Sequence, residues 1–252
     1  MFLMEKTTFQ ILLEEDGEIK LARALLRCNA PFKKYPDFGV WSYFLNSRSD
    51  VTVFEVGPKY LSLNPFFRRF SQKTDNTDII IECLEKYFPK KTIRQILLSH
   101  YHFDHSEAAP ELQQKIYEKF GNVPPIRIHR NDAGAEKLFK VFNSGLKSVF
   151  RKAGYRKWLM GKCVEDNEKI KGTDFVIKHI PGHTDGTIAL VNERQKIAIC
   201  GWWIEKIKDP IVRTVQEYLI DEDSESFPET LKKLKGKGYT FYFYHPKLQY
   251  FK

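Results

Sequence analysis

Apolar and polar positions along this chain change their period several times, and each change marks an element. Thr8 to Leu13 reads as a strand, and Trp41–Asn46 and Val51–Val56 are two β-branched and aromatic runs around Ser47-Arg48-Ser49-Asp50. That is the pattern of a hairpin. From Asp78 to Phe88 the period shifts to that of a helix, with Ile80, Leu84 and Phe88 at i, i+4 and i+8. Ile93 to Leu98 then reads as a buried strand. Ser106 to Phe120 returns to helical spacing, with Leu112, Ile116 and Phe120 on one face and Ser106 placed to cap it. Ile126 to His129 is a short strand, and Asn131 to about Tyr155 is mostly helical. In the second half, Phe175 to Pro181 is a strand, and Thr187–Val191 and Ile197–Cys200 pair as a hairpin. Ser226 and Glu229 form a capping box for a helix over Pro228–Leu234, and Tyr239–Tyr244 is the last strand. Strands followed by helices predict an α/β protein with a mixed sheet. No low-complexity linker or short-period repeat divides the 252 residues, so one domain is expected over 1–252, with a helical insertion at about 131–160.

At the exit of the Ile93–Leu98 strand the polar residues stop being ordinary. His100, Tyr101, His102, Phe103, Asp104 and His105 form an HxHxDH run, so three of the chain's 7 histidines fall within six residues. Imidazole and carboxylate are the usual protein ligands of zinc and iron, and holding four such groups together without a cation is costly. On extended backbone His100 and His102 point to the same side, and as the chain turns Asp104 and His105 can aim at a second point nearby. His129 has no partner in such a run and is read as structural.

These residues resemble those of the metallo-β-lactamase superfamily of metal-dependent hydrolases. HxHxDH is that family's first metal motif. Pro181-Gly182-His183-Thr184-Asp185-Gly186 matches its second, and Tyr244-His245-Pro246 its last histidine. The matches run from about Trp41 to His245, and the resemblance implies a four-layer αββα sandwich. One position departs: Trp202 stands where the family carries a bridging aspartate. Tryptophan cannot bind a metal. The resemblance therefore implies a first site of His100, His102 and His183, and a second of Asp104, His105 and His245 that lacks the shared carboxylate. Cys200, on the same strand, reads as a buried thiol, and Glu205 or Asp209 could swing in from the following loop. The family's Asp-x-Gly element is matched by Glu55-Val56-Gly57. Glu55 could orient a metal ligand or serve as a hydrogen-bonded structural carboxylate.

The activity implied is a metal-dependent hydrolase: hydroxide generated on one or two zinc ions, with iron or manganese as alternatives, attacks a small-molecule ester, thioester or lactone. Asp104 is the candidate for orienting the water and moving its proton. Tyr101, Phe103 and Trp202 either wall the pocket or pack in the core. The competing readings are a degenerate, non-catalytic member of the fold that binds a ligand, and a phosphodiesterase or nuclease. The net charge of +9 is the only feature favouring the last, and because its lysines are dispersed it reads as a solvated surface rather than a nucleic-acid footprint. No stretch reaches the ~18 apolar residues of a membrane span, and Met1–Gln10, with Glu5 and Lys6, does not read as a signal peptide. Cys28, Cys83, Cys163 and Cys200 have no paired spacing, so reduced thiols in a cytoplasmic protein are expected. Oligomeric state is not readable from these patterns.

Overall fold

The computed structural model describes residues 8–27, 39–58, 75–133, 161–201 and 236–245, with the backbone alone of Arg27, Phe103 and Asp104. Among the described residues, ten strands form two sheets. The first has six strands in sequence order: β1 (Phe9–Glu15), β2 (Glu18–Arg27), β3 (Gly39–Asn46), β4 (Asp50–Phe54), β5 (Thr92–Leu97) and β6 (Ile126–Arg127). Neighbours run antiparallel as far as β4, and β4, β5 and β6 are parallel. Parallel neighbours need a crossover. The helix α1 (Asn76–Tyr87) lies between β4 and β5. The short α2 (Phe103–Ser106) and then α3 (Ala109–Phe120) lie between β5 and β6. The second sheet has the order β10 (Thr240–Phe243), β9 (Ile197–Cys200), β8 (Ile188–Asn192), β7 (Phe175–His179), with β9 and β10 parallel.

Alternation along the strands sorts side chains into two cores. Leu21, Trp41, Tyr43, Leu45, Phe54 and Leu97 leave one face of the first sheet and meet Ile177, Ile188, Leu190, Ile197, Ile199 and Tyr244 of the second. Ala22, Ala24, Leu26, Phe44, Val51 and Val53 leave the other face and meet Ile80 and Leu84 of α1 and Leu112 and Ile116 of α3. β3 is buried on both faces, which is why it reads as an almost continuous apolar run. The chain has the α/β sandwich architecture that the resemblance implies. The helices expected within 134–160 and over 228–234, and Cys28, Trp202, Glu205 and Asp209, lie outside the described residues.

Two local expectations are corrected, and one strand is new. β2, ten residues long, was not foreseen: Leu21-Ala22-Arg23-Ala24-Leu25-Leu26 is made of good helix formers. Pairing with β1 and β3 overrides that preference. Asp16 and Gly17, both at positive φ (54° and 70°), form the two-residue turn that sets the register Glu15↔Glu18. Ser106 does not cap α3. Its hydroxyl donates back to the carbonyls of Tyr101 and His102, both at 2.9 Å, and Ala108 takes the N-cap position without a side-chain hydrogen bond. Asn131 and Asp132 belong to a turn, not a helix, with Asp132 N–H donating to the His129 carbonyl at 3.0 Å.

Candidate metal centre

The site forms where both sheets end. β5 stops at Leu97, and Ser99 and His100 follow in a bend tied across to the second sheet: Ile188 N–H donates to the Ser99 carbonyl at 2.9 Å. β7 stops at His179, and the turn after Pro181 carries His183 to the same place. β10 stops at Phe243, and His245 follows, fixed because its Nδ1–H donates to the Gly39 carbonyl at 2.7 Å at the start of β3. Five of the chain's histidines thus converge from three strand ends.

His100, His102 and His183 make one corner. Their ring centroids are 4.6 to 4.7 Å apart, and each pair of rings is close to perpendicular, at 82°, 75° and 89°. His100 Nε2 lies 3.1 Å from His102 Nδ1 and 3.1 Å from His183 Nε2. One ring nitrogen has either one hydrogen or one lone pair, so His100 Nε2 cannot make two well-formed hydrogen bonds at once. Three nitrogens bound to a tetrahedral ion at ~2.05 Å lie about 3.3 Å apart, close to what is seen. The corner is buried, and burial holds His100 well below the usual imidazole range, helped by the neighbouring His105 and His183. His100 is therefore neutral, the form a metal ion needs.

His105 and His245 make the other corner, rings 4.8 Å apart at 83°. Here the chemistry of the partners fixes the tautomers. Glu55 Oε2 contacts His105 Nδ1, and the Gly39 carbonyl contacts His245 Nδ1. Both partners accept only, so both Nδ1 atoms carry hydrogen. The two Nε2 atoms, 3.1 Å apart, then face each other as acceptors when the rings are neutral. Such a contact calls for a cation between them. The donor set of this chain fits a metal ion at both corners, and His100, joined to His105 at 4.2 Å between centroids, links them.

Glu55 is the carboxylate behind this arrangement. It is fully buried at the end of β4, with φ at 71°, a conformation that costs a residue with a Cβ about 1 to 3 kcal/mol. The strained turn aims Oε1 at the Ser99 N–H, 2.6 Å away, and Oε2 at His105. Gly57, two residues on, also has positive φ (73°), and a Cβ there would lie 2.9 Å from Leu26 Cδ1. Its carbonyl accepts from Ala108 N–H at 3.2 Å, lacing the turn to the segment carrying His105.

The remaining candidates fall as follows. Asp104 lies in α2, but its side chain and that of Phe103 are outside the described residues. Tyr101 is buried among α1 and α3 residues and meets His102 edge-on at 4.9 Å, so packing is its role. Cys200 is fully buried beside Ile180 and Ala189, and burial pushes its thiol well above the ordinary range. His129 stacks on His179 at 4.0 Å, away from the two corners. Two buried carboxyl-bearing or hydroxyl-bearing residues escaped the sequence reading: Ser99, whose Oγ lies 2.7 Å from His100 Nδ1, and Asp132, which binds both ligand loops.

The sequence model of the metallo-beta-lactamase superfamily matches residues 74–201, a little over half of the chain. The chain belongs to the metallo-β-lactamase superfamily. No curated protein matches it in sequence. Solved structures of the superfamily share its fold at low identity. The mono-zinc form of the metallo-β-lactamase FIM-1 from Pseudomonas aeruginosa is 11% identical with a TM-score of 0.59, over 95% of this chain and 88% of that one. The di-iron-bound form of TTHA1623 is 16% identical with a TM-score of 0.52, over 88% and 91%. A quorum-quenching N-acyl homoserine lactone lactonase is 17% identical with a TM-score of 0.51, over 84% and 82%. No helix among the described residues is long and apolar enough to cross a membrane.

Proposed function

We propose that this superfamily member is a metal-dependent hydrolase of a small-molecule ester, thioester or lactone. The observation that carries this reading is the convergence of the His100, His102 and His183 nitrogens in one buried corner, all within 4.8 Å of one another. His100, His102 and His183 would hold the first ion, and Asp104, His105 and His245 the second. The three-imidazole first site suits zinc, with iron or manganese as the alternatives. When bound, such an ion polarises a carbonyl and lowers the pKa of water from 15.7 toward ~7. Three histidine ligands leave a fourth position open for that purpose. Asp104 keeps from its place in the motif the proposed role of orienting the attacking water and moving its proton. Lactones enter the substrate class because the lactonase shares the fold, and esters and thioesters because the same attack on an acyl carbon serves all three.

Metal content by elemental analysis, combined with hydrolysis of an aryl ester, an acyl thioester and an acyl lactone, tests this reading. The wild type is expected to carry zinc, iron or manganese and to hydrolyse at least one of the three, and His102→Ala to lose both properties together. Absence of bound metal after all three ions are supplied, or unchanged hydrolysis in His102→Ala, overturns it.

A further inference from the structure

The loop carrying His100 and His102 and the loop carrying His183 come from different sheets, and one buried side chain is bonded to both. Asp132 sits in the turn after β6, almost wholly buried. Its Oδ2 accepts from the Tyr101 N–H at 3.2 Å, between the two histidines of the first loop. The same oxygen accepts from Thr184 Oγ1 at 2.6 Å, next to His183 in the second loop. Its Oδ1 accepts from the Gly186 N–H at 2.8 Å in that second loop. A carboxylate only accepts, so Thr184 must donate to it. Thr187 Oγ1, 2.8 Å from Thr184 Oγ1, must then donate to Thr184, and the Thr184 N–H donates to Thr187 Oγ1 at 2.9 Å. The hydroxyl chain has one direction, and Asp132 sets it. Space confirms the close fit: a Cβ on Gly186 would lie 2.5 Å from Asp132 Cγ.

We propose that Asp132 is a positioning residue for metal binding: by clamping Tyr101, Thr184 and Gly186 it fixes the distance of His183 from His100 and His102. This rests on the reading of those histidines as ligands. The clamp acts on the main chain beside the ligands rather than on their rings, so its loss spreads the three nitrogens without changing their chemistry. Asparagine in its place keeps the size, but its amide NH₂ meets a donor where an acceptor is required. Thr184→Val removes one of the three donors at nearly constant shape.

Zinc affinity of the purified full chain, read by competition with a chromophoric chelator, tests this alongside urea unfolding of the metal-free forms. Asp132→Asn is expected to weaken the three-histidine corner about 10- to 100-fold, the loss usual when the partners supporting metal ligands are removed. Thr184→Val should weaken it less, in the same direction. The control is Asp50→Asn, at the opposite end of β4 from Glu55, where a buried carboxylate is tied to Ser47, Ser49 and Arg94. It should lower resistance to urea and leave zinc affinity unchanged. Unchanged affinity in Asp132→Asn, or an equal loss in Asp50→Asn, overturns the proposal. A wild type that binds no metal overturns the hydrolase reading instead.

Discussion

The two corners of the histidine cluster are held by different means. At His105 and His245 the protein grips the rings: Glu55 takes one Nδ1 and the Gly39 carbonyl takes the other. At His100, His102 and His183 the carboxylate, Asp132, grips the chain beside the rings. Gripping a ring fixes its tautomer and raises its basicity. Gripping the chain fixes where the ring stands. The corner of His100, His102 and His183 is thus specified mainly by geometry and that of His105 and His245 by protonation, so damage to each should leave a different signature.

The largest effect separates the corners outright. His183→Ala removes one of three nitrogens at the geometric corner and is expected to empty it, while His245→Ala leaves those three intact and should keep one ion per chain. Elemental analysis after purification without added metal reads both. Equal metal loss in the two variants would mean that the five imidazoles act as one site and that the division into corners is wrong.

Glu55→Gln probes the other means of support. Glutamine has one accepting oxygen, so it can serve Ser99 N–H or His105 Nδ1–H, and its amide hydrogens confront the other. The His105 tautomer is then no longer fixed. Affinity for the second ion should fall about 10- to 100-fold, or about 1.4 to 2.8 kcal/mol, with the first ion held nearly as before. Calorimetric titration of zinc into the metal-free protein resolves the two steps. An equal loss in both would show that Glu55 supports the whole cluster through Ser99 and His100.

What could be read in the sequence follows the same division. The HxHxDH run is local, its ligand types and spacing are visible in six residues, and the strand before it has a clear apolar signature. His183 and His245 were found by resemblance, since nothing near them in sequence says which other residues they meet. Asp132 was missed because its three partners lie 31, 52 and 54 positions away. An aspartate among Arg130, Asn131 and Ala133 looks like any surface turn. Ser106 was misread for the opposite reason: it has a capping residue's type and position, yet the tight turn after His102 takes its hydroxyl. β2 was missed because its helix-forming residues are overruled by two neighbouring strands, although Asp16-Gly17 is a strong hairpin signal.

The smallest effect concerns pH and reaches only the geometric corner. His129 lies three residues before Asp132 in the same turn, its carbonyl accepting from the Asp132 N–H, and its ring stacks on His179. Burial lowers His129 to about 4, and His179 and Arg130 push the same way, while Glu165 and Asp166 oppose them. The unfolded chain titrates near ~6.5, so between about pH 6.5 and 4 it binds more protons than the folded protein. Stability contributed by the neutral ring is present above that window and is lost as pH falls through it. His129→Gln, which cannot be protonated, should therefore lose less resistance to urea than the wild type between about pH 7 and pH 4.5, with chelator present in both. His179 Nε2 faces the Asp185 carbonyl at 2.8 Å, in the loop that holds His183, so acid strain at His129, on which the His179 ring stacks, bears on the side of the site that Asp132 clamps. Equal pH slopes in the two proteins would mean that the stacked pair opens in acid without cost and that the turn behind Asp132 is softer than its burial implies.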